Sequence, residues 1–112
     1  MYSRQVNFTT TIPNEDIMQN TAVKAQIMEA LGLSTADDYT ARFTSNPVTS
    51  EKLGIRMIFD IIMTADNTLK INGGTAQNLI SSIAYSSESA VDVKTLTITS
   101  AGSGIITMKI LR

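Results

Sequence analysis

The chain has no cysteine and no histidine, and these two absences remove much of the usual protein chemistry. Without cysteine there is no disulfide framework, no thiolate nucleophile and no sulfur-ligated zinc, and a reducing compartment is permitted. Without histidine the commonest general base near neutral pH is missing, along with the usual partner of an activated serine and the commonest transition-metal ligand. Charge is also scarce. Charged residues make up 17% of the chain and the formal net charge is −1, so no overall field draws in nucleic acid or an anionic membrane. No apolar run approaches the roughly 18 residues of a membrane span, and the first residues alternate instead of forming a signal-peptide core. The chain is therefore expected to carry no cofactor and no metal, to stay out of membranes and to reside in the cytoplasm.

What is present suffices for one folded unit. The 112 residues match the common size of a single domain, 1–112, and a hydrophobic content of 43% is too high for disorder. Serine, threonine and asparagine together make up roughly 30%, above ordinary usage. A small, hydroxyl-rich, cysteine-free chain of this kind suits a viral or mobile-element product, on grounds of composition alone.

From Arg4 to Ile12 the residues Val6, Phe8, Thr10 and Ile12 alternate with polar ones, which predicts a half-buried strand. Pro13-Asn14-Glu15-Asp16 then gives helix start signals and Gly32 a stop, so a helix is predicted from Asn14 to Leu31. Its apolar stripe holds Ile17, Val23, Ile27, Met28, Ala30 and Leu31. Asp16, Asn20 and Lys24 form a polar row within that stripe, read as Lys24 laying its stem on the core and reaching water. Ser34-Thr35-Ala36-Asp37 resembles a capping box, yet Tyr39, Ala41 and Phe43 alternate like a strand, and residues 34–46 stay open between the two. Asn46-Pro47 ends that segment and Ser50-Glu51-Lys52 is a polar connection.

Gly54 to Thr64 reads as the clearest strand, with Ile55, Met57, Phe59, Ile61 and Met63 on one side. Asp66-Asn67 is expected to turn it tightly into Thr68–Ile71 as a hairpin. After Asn72-Gly73-Gly74, the helical spacing of Ala76, Leu79, Ile80 and Ile83 predicts a second helix capped by Thr75. Val91–Thr99 and Ile105–Leu111 read as a closing hairpin. The expected class is α+β: a mainly antiparallel sheet with two amphipathic helices on one face, in a ferredoxin-like split β-α-β arrangement.

Chemical motifs are few. Asn72-Gly73-Gly74-Thr75 lacks the glycine spacing and the lysine of a phosphate-binding loop and reads as a capped turn. Carboxylates at Asp37, Asp38 and Asp66 fall where helix starts and turns use them. Arg4, Arg42, Tyr39 and Phe43, with Arg56, would have to form an open stacking face for the chain to bind single-stranded nucleic acid. A pocket built on carboxylates with Tyr39 or Tyr85 is the third option. The distinctive pattern is that Ile58 and Ile62 lie opposite the Met57, Phe59 and Ile61 side, while Ile105 and Leu111 oppose Ile106, Met108 and Ile110. A two-layer domain should keep its helix-free sheet face polar. Four aliphatic side chains there would forgo several kcal/mol if left in water, at about 1.5–3 kcal/mol each. A non-enzymatic, homo-oligomeric binding or assembly protein is therefore expected, meeting another copy or a protein partner through Ile58, Ile62, Ile105 and Leu111, with Arg56 and Asp60 at the rim.

Overall fold

In a computed structural model of the chain, which describes residues 2–43 and 54–111, the described residues form two α-helices and two antiparallel sheets. In chain order the elements are β1 (Tyr2–Thr10), β2 (Glu15–Asp16), α1 (Thr21–Leu31), α2 (Ala36–Phe43), β3 (Ile55–Met63), β4 (Asn67–Ile71), β5 (Gln77–Leu79), β6 (Tyr85–Ser86), β7 (Val91–Val93), β8 (Leu96–Ile98) and β9 (Gly102–Ile110). The larger sheet runs β1-β9-β3-β6, with β7 also pairing β3, and the smaller runs β2-β8-β4-β5. The class is α+β with antiparallel sheets. The single sheet of the ferredoxin-like arrangement is replaced by two sheets sharing one core, and the chain passes repeatedly from one to the other.

That alternation corrects both expected hairpins. Strand β3 ends at Met63, one residue short of the predicted Thr64, but β4 pairs with β5 and β8 in the smaller sheet instead of folding back on β3. Asp66 and Asn67 are not among the residues with positive φ, which a two-residue hairpin turn of the favoured kind requires. The Asn67 side chain instead spans the gap, its amide donating to the Ser100 carbonyl (2.9 Å) and its oxygen accepting from the Ser100 N–H (3.0 Å). The tight turn falls at Asn72-Gly73, where both residues have positive φ (53° and 71°) and the Gly74 N–H donates to the Ile71 carbonyl. It joins β4 to β5. Similarly β7 and β8 sit in different sheets, and β9 pairs with β1 and β3.

The predicted second helix is absent. Residues 77–79 pair as β5, and the chain then turns at Ile80–Ile83, with Ser82 at φ 63°. Hydroxyl and carboxylate side chains outcompete the helix for backbone partners here: Asp66 Oδ1 accepts from the Ser81 N–H (2.7 Å) and Ser81 Oγ donates to the Thr64 carbonyl (3.0 Å). Ile80 and Ile83 are left exposed.

The segment left open at 34–46 contains helix α2. Thr35 Oγ1 accepts from the Asp38 N–H (3.1 Å), and Asp37 and Asp38 sit in the favourable first turn. Tyr39 and Phe43 thus face the core one helical turn apart, with ring centroids 4.8 Å apart. The Asn46-Pro47 stop and the Ser50–Lys52 connection lie outside the described residues. Helix α1 is shorter than predicted. Asn14 adopts φ 58°, Glu15 and Asp16 pair with β8, and a 3-10 turn at Ile17–Gln19 intervenes before Asn20 caps α1. Gly32 ends it in the left-handed conformation, with the Leu33 N–H reaching the Met28 carbonyl.

Helix α1 runs antiparallel alongside the edge strand β1. Its cap, Asn20, donates to the Thr9 carbonyl (3.0 Å), and Glu29 near its other end meets Arg4 at 3.6 Å. Covering a long edge strand in this way hinders pairing with a foreign strand. The opposite edge of the larger sheet is formed by the short β6 and β7. The core is one cluster: Val6, Phe8, Met57, Phe59, Ile61 and Met108 from the inner face of the larger sheet meet Leu69, Leu79, Leu96 and Ile98 from the smaller sheet and Val23, Ile27 and Tyr39 from the helices.

Candidate interaction face

The site is built from strand periodicity. In β3 the odd-numbered residues are buried and the even-numbered ones face outward; in β9 the even-numbered residues from Gly104 to Ile110 are buried. Register places Ile62 beside Ile105, Asp60 beside Thr107 and Ile58 beside Lys109, while the Leu111 N–H donates to the Arg56 carbonyl. On the other side of β9, Asn7 lies beside Ile105 and Gln5 beside Thr107. Ile58, Ile62, Ile105, Leu111, Arg56 and Asp60 therefore share one face of the larger sheet, the one turned away from the core.

The face is less oily than four exposed aliphatics would make it. Ile62 is 40% exposed, while Ile58, Ile105 and Leu111 are half-buried. Polar Ser3, Gln5, Asn7 and Thr9 of β1 fill the flank. Near one end the face dips into a groove of about 410 Å³ whose walls include Asn7, Thr9, Ile62, Ser82, Ser103 and Ile105. Gly104 lies beneath it, on the core-facing side of β9. A Cβ there would stand 2.6 Å from both the Ile62 carbonyl oxygen and Met63 Sδ, and 3.3 Å from the Phe8 ring. The turn bearing exposed Ile80 and Ile83 docks beside this groove, the Ser82 N–H donating to the Met63 carbonyl (2.9 Å).

Charge on the face is balanced. Arg56 Nη1 donates to Asp92 Oδ1 at 3.0 Å across β3 and β7. Asp60, half-buried in the middle of β3, and Lys109, exposed on β9, have no ion pair or hydrogen-bond partner among the described residues.

The alternative nucleic-acid residues do not assemble. Tyr39 (0% exposed) and Phe43 (8%) belong to the core and present no stacking surface. Arg4 turns to the helix side and pairs with Glu29, and the Arg42 side chain lies outside the described part of the molecule. Tyr39 serves as a pin: its hydroxyl donates to the Met18 carbonyl, and burial, with the Asp16 carboxylate adding, pushes its phenol above the ordinary value. Lys24 Nζ lies over that ring, 5.3 Å from its centre.

Among the described residues no three carboxylates gather as a metal site would need, and no helix is long and apolar enough to cross a membrane. Sequence reasoning missed Lys109, Ile80 and Ile83. The strand alternation of β9 marks Lys109 as outward-facing, and the lack of charge along 75–87 was the available signal against a surface helix. The chain matches no protein-family model, no curated protein and no solved structure.

Proposed function

We propose that the protein works by self-association, as a homo-oligomeric binding or assembly protein without catalysis of its own, whose contact surface is the outer face of β3 and β9. The observation that carries this reading is that Ile58, Ile62, Ile105 and Leu111 lie together on the one face of the larger sheet that neither the smaller sheet nor the helices cover. With α1 alongside the β1 edge, the face is better suited to a second copy than the edge is.

Half-burial in the single copy sets the scale of the contact. Each of these side chains has only part of its ~1.5–3 kcal/mol of burial left to gain, about 0.5–1 kcal/mol, or roughly 4–8 kcal/mol over both copies of a two-fold pair. Set against the roughly 4–15 kcal/mol cost of immobilising two molecules, that leaves little surplus and predicts weak association, at the tightest about millimolar, near −4 kcal/mol. Light scattering across a concentration series tests it. A mean mass that begins to rise above one copy as the concentration approaches about 1 mM is expected, while a constant single-copy mass at that concentration removes the reading. Salt-sensitive binding of an oligonucleotide by a single copy would replace it with the nucleic-acid alternative.

A further inference from the structure

We infer that, in the assembled protein, Lys109 of one copy pairs with Asp60 of the second across the outer face, and that these two symmetry-related ion pairs fix how the copies lie on one another. This deepens the self-association reading and rests on it.

Asp60 occupies the middle of β3 between Ile58 and Ile62, half-buried and without an ion pair or hydrogen-bond partner among the described residues. Any occupant that covers this face strips water from the carboxylate, and an apolar occupant would leave it buried without a counter-charge, which is strongly unfavourable. A nucleic-acid backbone would bring like charge. The occupant has to supply a cation, and the face carries one. Lys109 projects from the neighbouring strand two residues further along, beside Ile58. In a two-fold contact, residue i of one copy meets j of the other and j meets i. An axis lying between the two faces and midway between Asp60 and Lys109 brings each over its opposite in the partner. Among the described residues the remaining charges of the face, Arg56 and Asp92, already satisfy each other at 3.0 Å, so its described charges cancel and are complementary to themselves. Its extent is also suitable. The three strands of nine residues span about 30 Å and side by side give about 15 Å. That footprint of roughly 500 Å², before side-chain relief, approaches the ~800 Å² per partner of a standard interface.

The test is a pair of charge reversals, Asp60→Lys and Lys109→Asp, compared by light scattering with the parent chain, with circular dichroism to establish that each variant is folded. Each variant alone should self-associate about a hundredfold more weakly, tenfold for each of the two pairs. Mixing the two variants in equal amounts should restore association, because opposite charges then meet at both contacts: the introduced lysine of one variant faces the introduced aspartate of the other, and the unaltered Lys109 faces the unaltered Asp60. If the parent associates but the single variants do so equally well, or the mixture recovers nothing, the pairing is wrong while self-association stands. A parent chain that stays single at high concentration overturns both.

Discussion

Ile61 and Ile62 are neighbours in the chain and opposites in the fold, which makes them a sharp test of the two faces of β3. Ile61 is fully buried between the sheets, while Ile62 is 40% exposed beside Ile105. Threonine keeps the β-branch that suits a strand, so replacing either residue changes mainly what is buried. At Ile61 the substitution removes packing and places a hydroxyl in an apolar core, a loss of about 2–4 kcal/mol, which should lower Tm by roughly 10 °C or more at 4–8 °C per kcal/mol. At Ile62 the single copy should lose at most about 1 kcal/mol, because much of the side chain already meets water. The larger effect is on association. The exposed two-fifths of Ile62 is worth near 1 kcal/mol per copy when covered, and with one methyl retained the pair should lose about 1.5 kcal/mol, close to tenfold in Kd. Thermal denaturation at low concentration and light scattering at high concentration read the two effects separately. Equal destabilisation by both substitutions would refute the assignment of faces, and an unchanged Kd for Ile62→Thr would refute the contact role of this face.

Gly104→Ala should cost about 2 kcal/mol in denaturant unfolding, since the Ile62 carbonyl 2.6 Å from the new Cβ is backbone and cannot swing aside as Met63 can. Asn20→Ala should cost about 1–2 kcal/mol by the same measurement, because it removes the cap bonds to Ala22 and Val23 together with the bond to Thr9. Tyr39→Phe leaves the Met18 carbonyl without its donor and should cost about 1–3 kcal/mol. The Tyr39 phenol is raised above its ordinary 10.0 by burial and by Asp16, so the folded chain holds that proton more tightly than the unfolded chain does. Its contribution should be intact below pH 10 and decline as the pH climbs past that value, with Tyr39→Phe lacking this part of the alkaline loss in a pH-dependent denaturation series.

Strand periodicity was the most legible signal. The alternation from Gly54 to Thr64 and along the last strand reports burial on one side regardless of what the chain does afterwards, so it located the inner and outer residues of β3 and β9 correctly. Connections were not legible in the same way. A break between two apolar runs looks alike whether the second run folds back on the first or crosses to another sheet, and the side chains that settle it, such as Asn67 reaching Ser100, act over more than thirty positions (|i−j|=33). Helical spacing at Ala76, Leu79, Ile80 and Ile83 failed because periodicity records only where apolar residues lie. It does not record whether Ser81 and Ser82 find backbone partners elsewhere. The opposite ambiguity lay at Tyr39, Ala41 and Phe43, left open between helix and strand, where the period-two spacing was accidental and the Thr35 cap decides for a helix.

The same crossings explain why the outer face is free to specialise. Each passage between sheets interrupts the backbone ladder and leaves donors that must be satisfied. Asp16 Oδ1 accepts from the Met18 and Leu96 N–H groups, and Asn72 Oδ1 from those of Lys94 and Thr95. Much of the hydroxyl- and amide-rich composition is spent on these junctions. Among the described residues, the smaller sheet, α1 and α2 all gather against one side of β1, β9 and β3, and no element packs on the other side. Ile62 there is 40% exposed, in contrast to the fully buried Ile61 and Ile106. Polar substitutions across that face that preserve folding and abolish association would follow from this division, whereas unfolding by the same substitutions would mean that the outer face is part of the core after all.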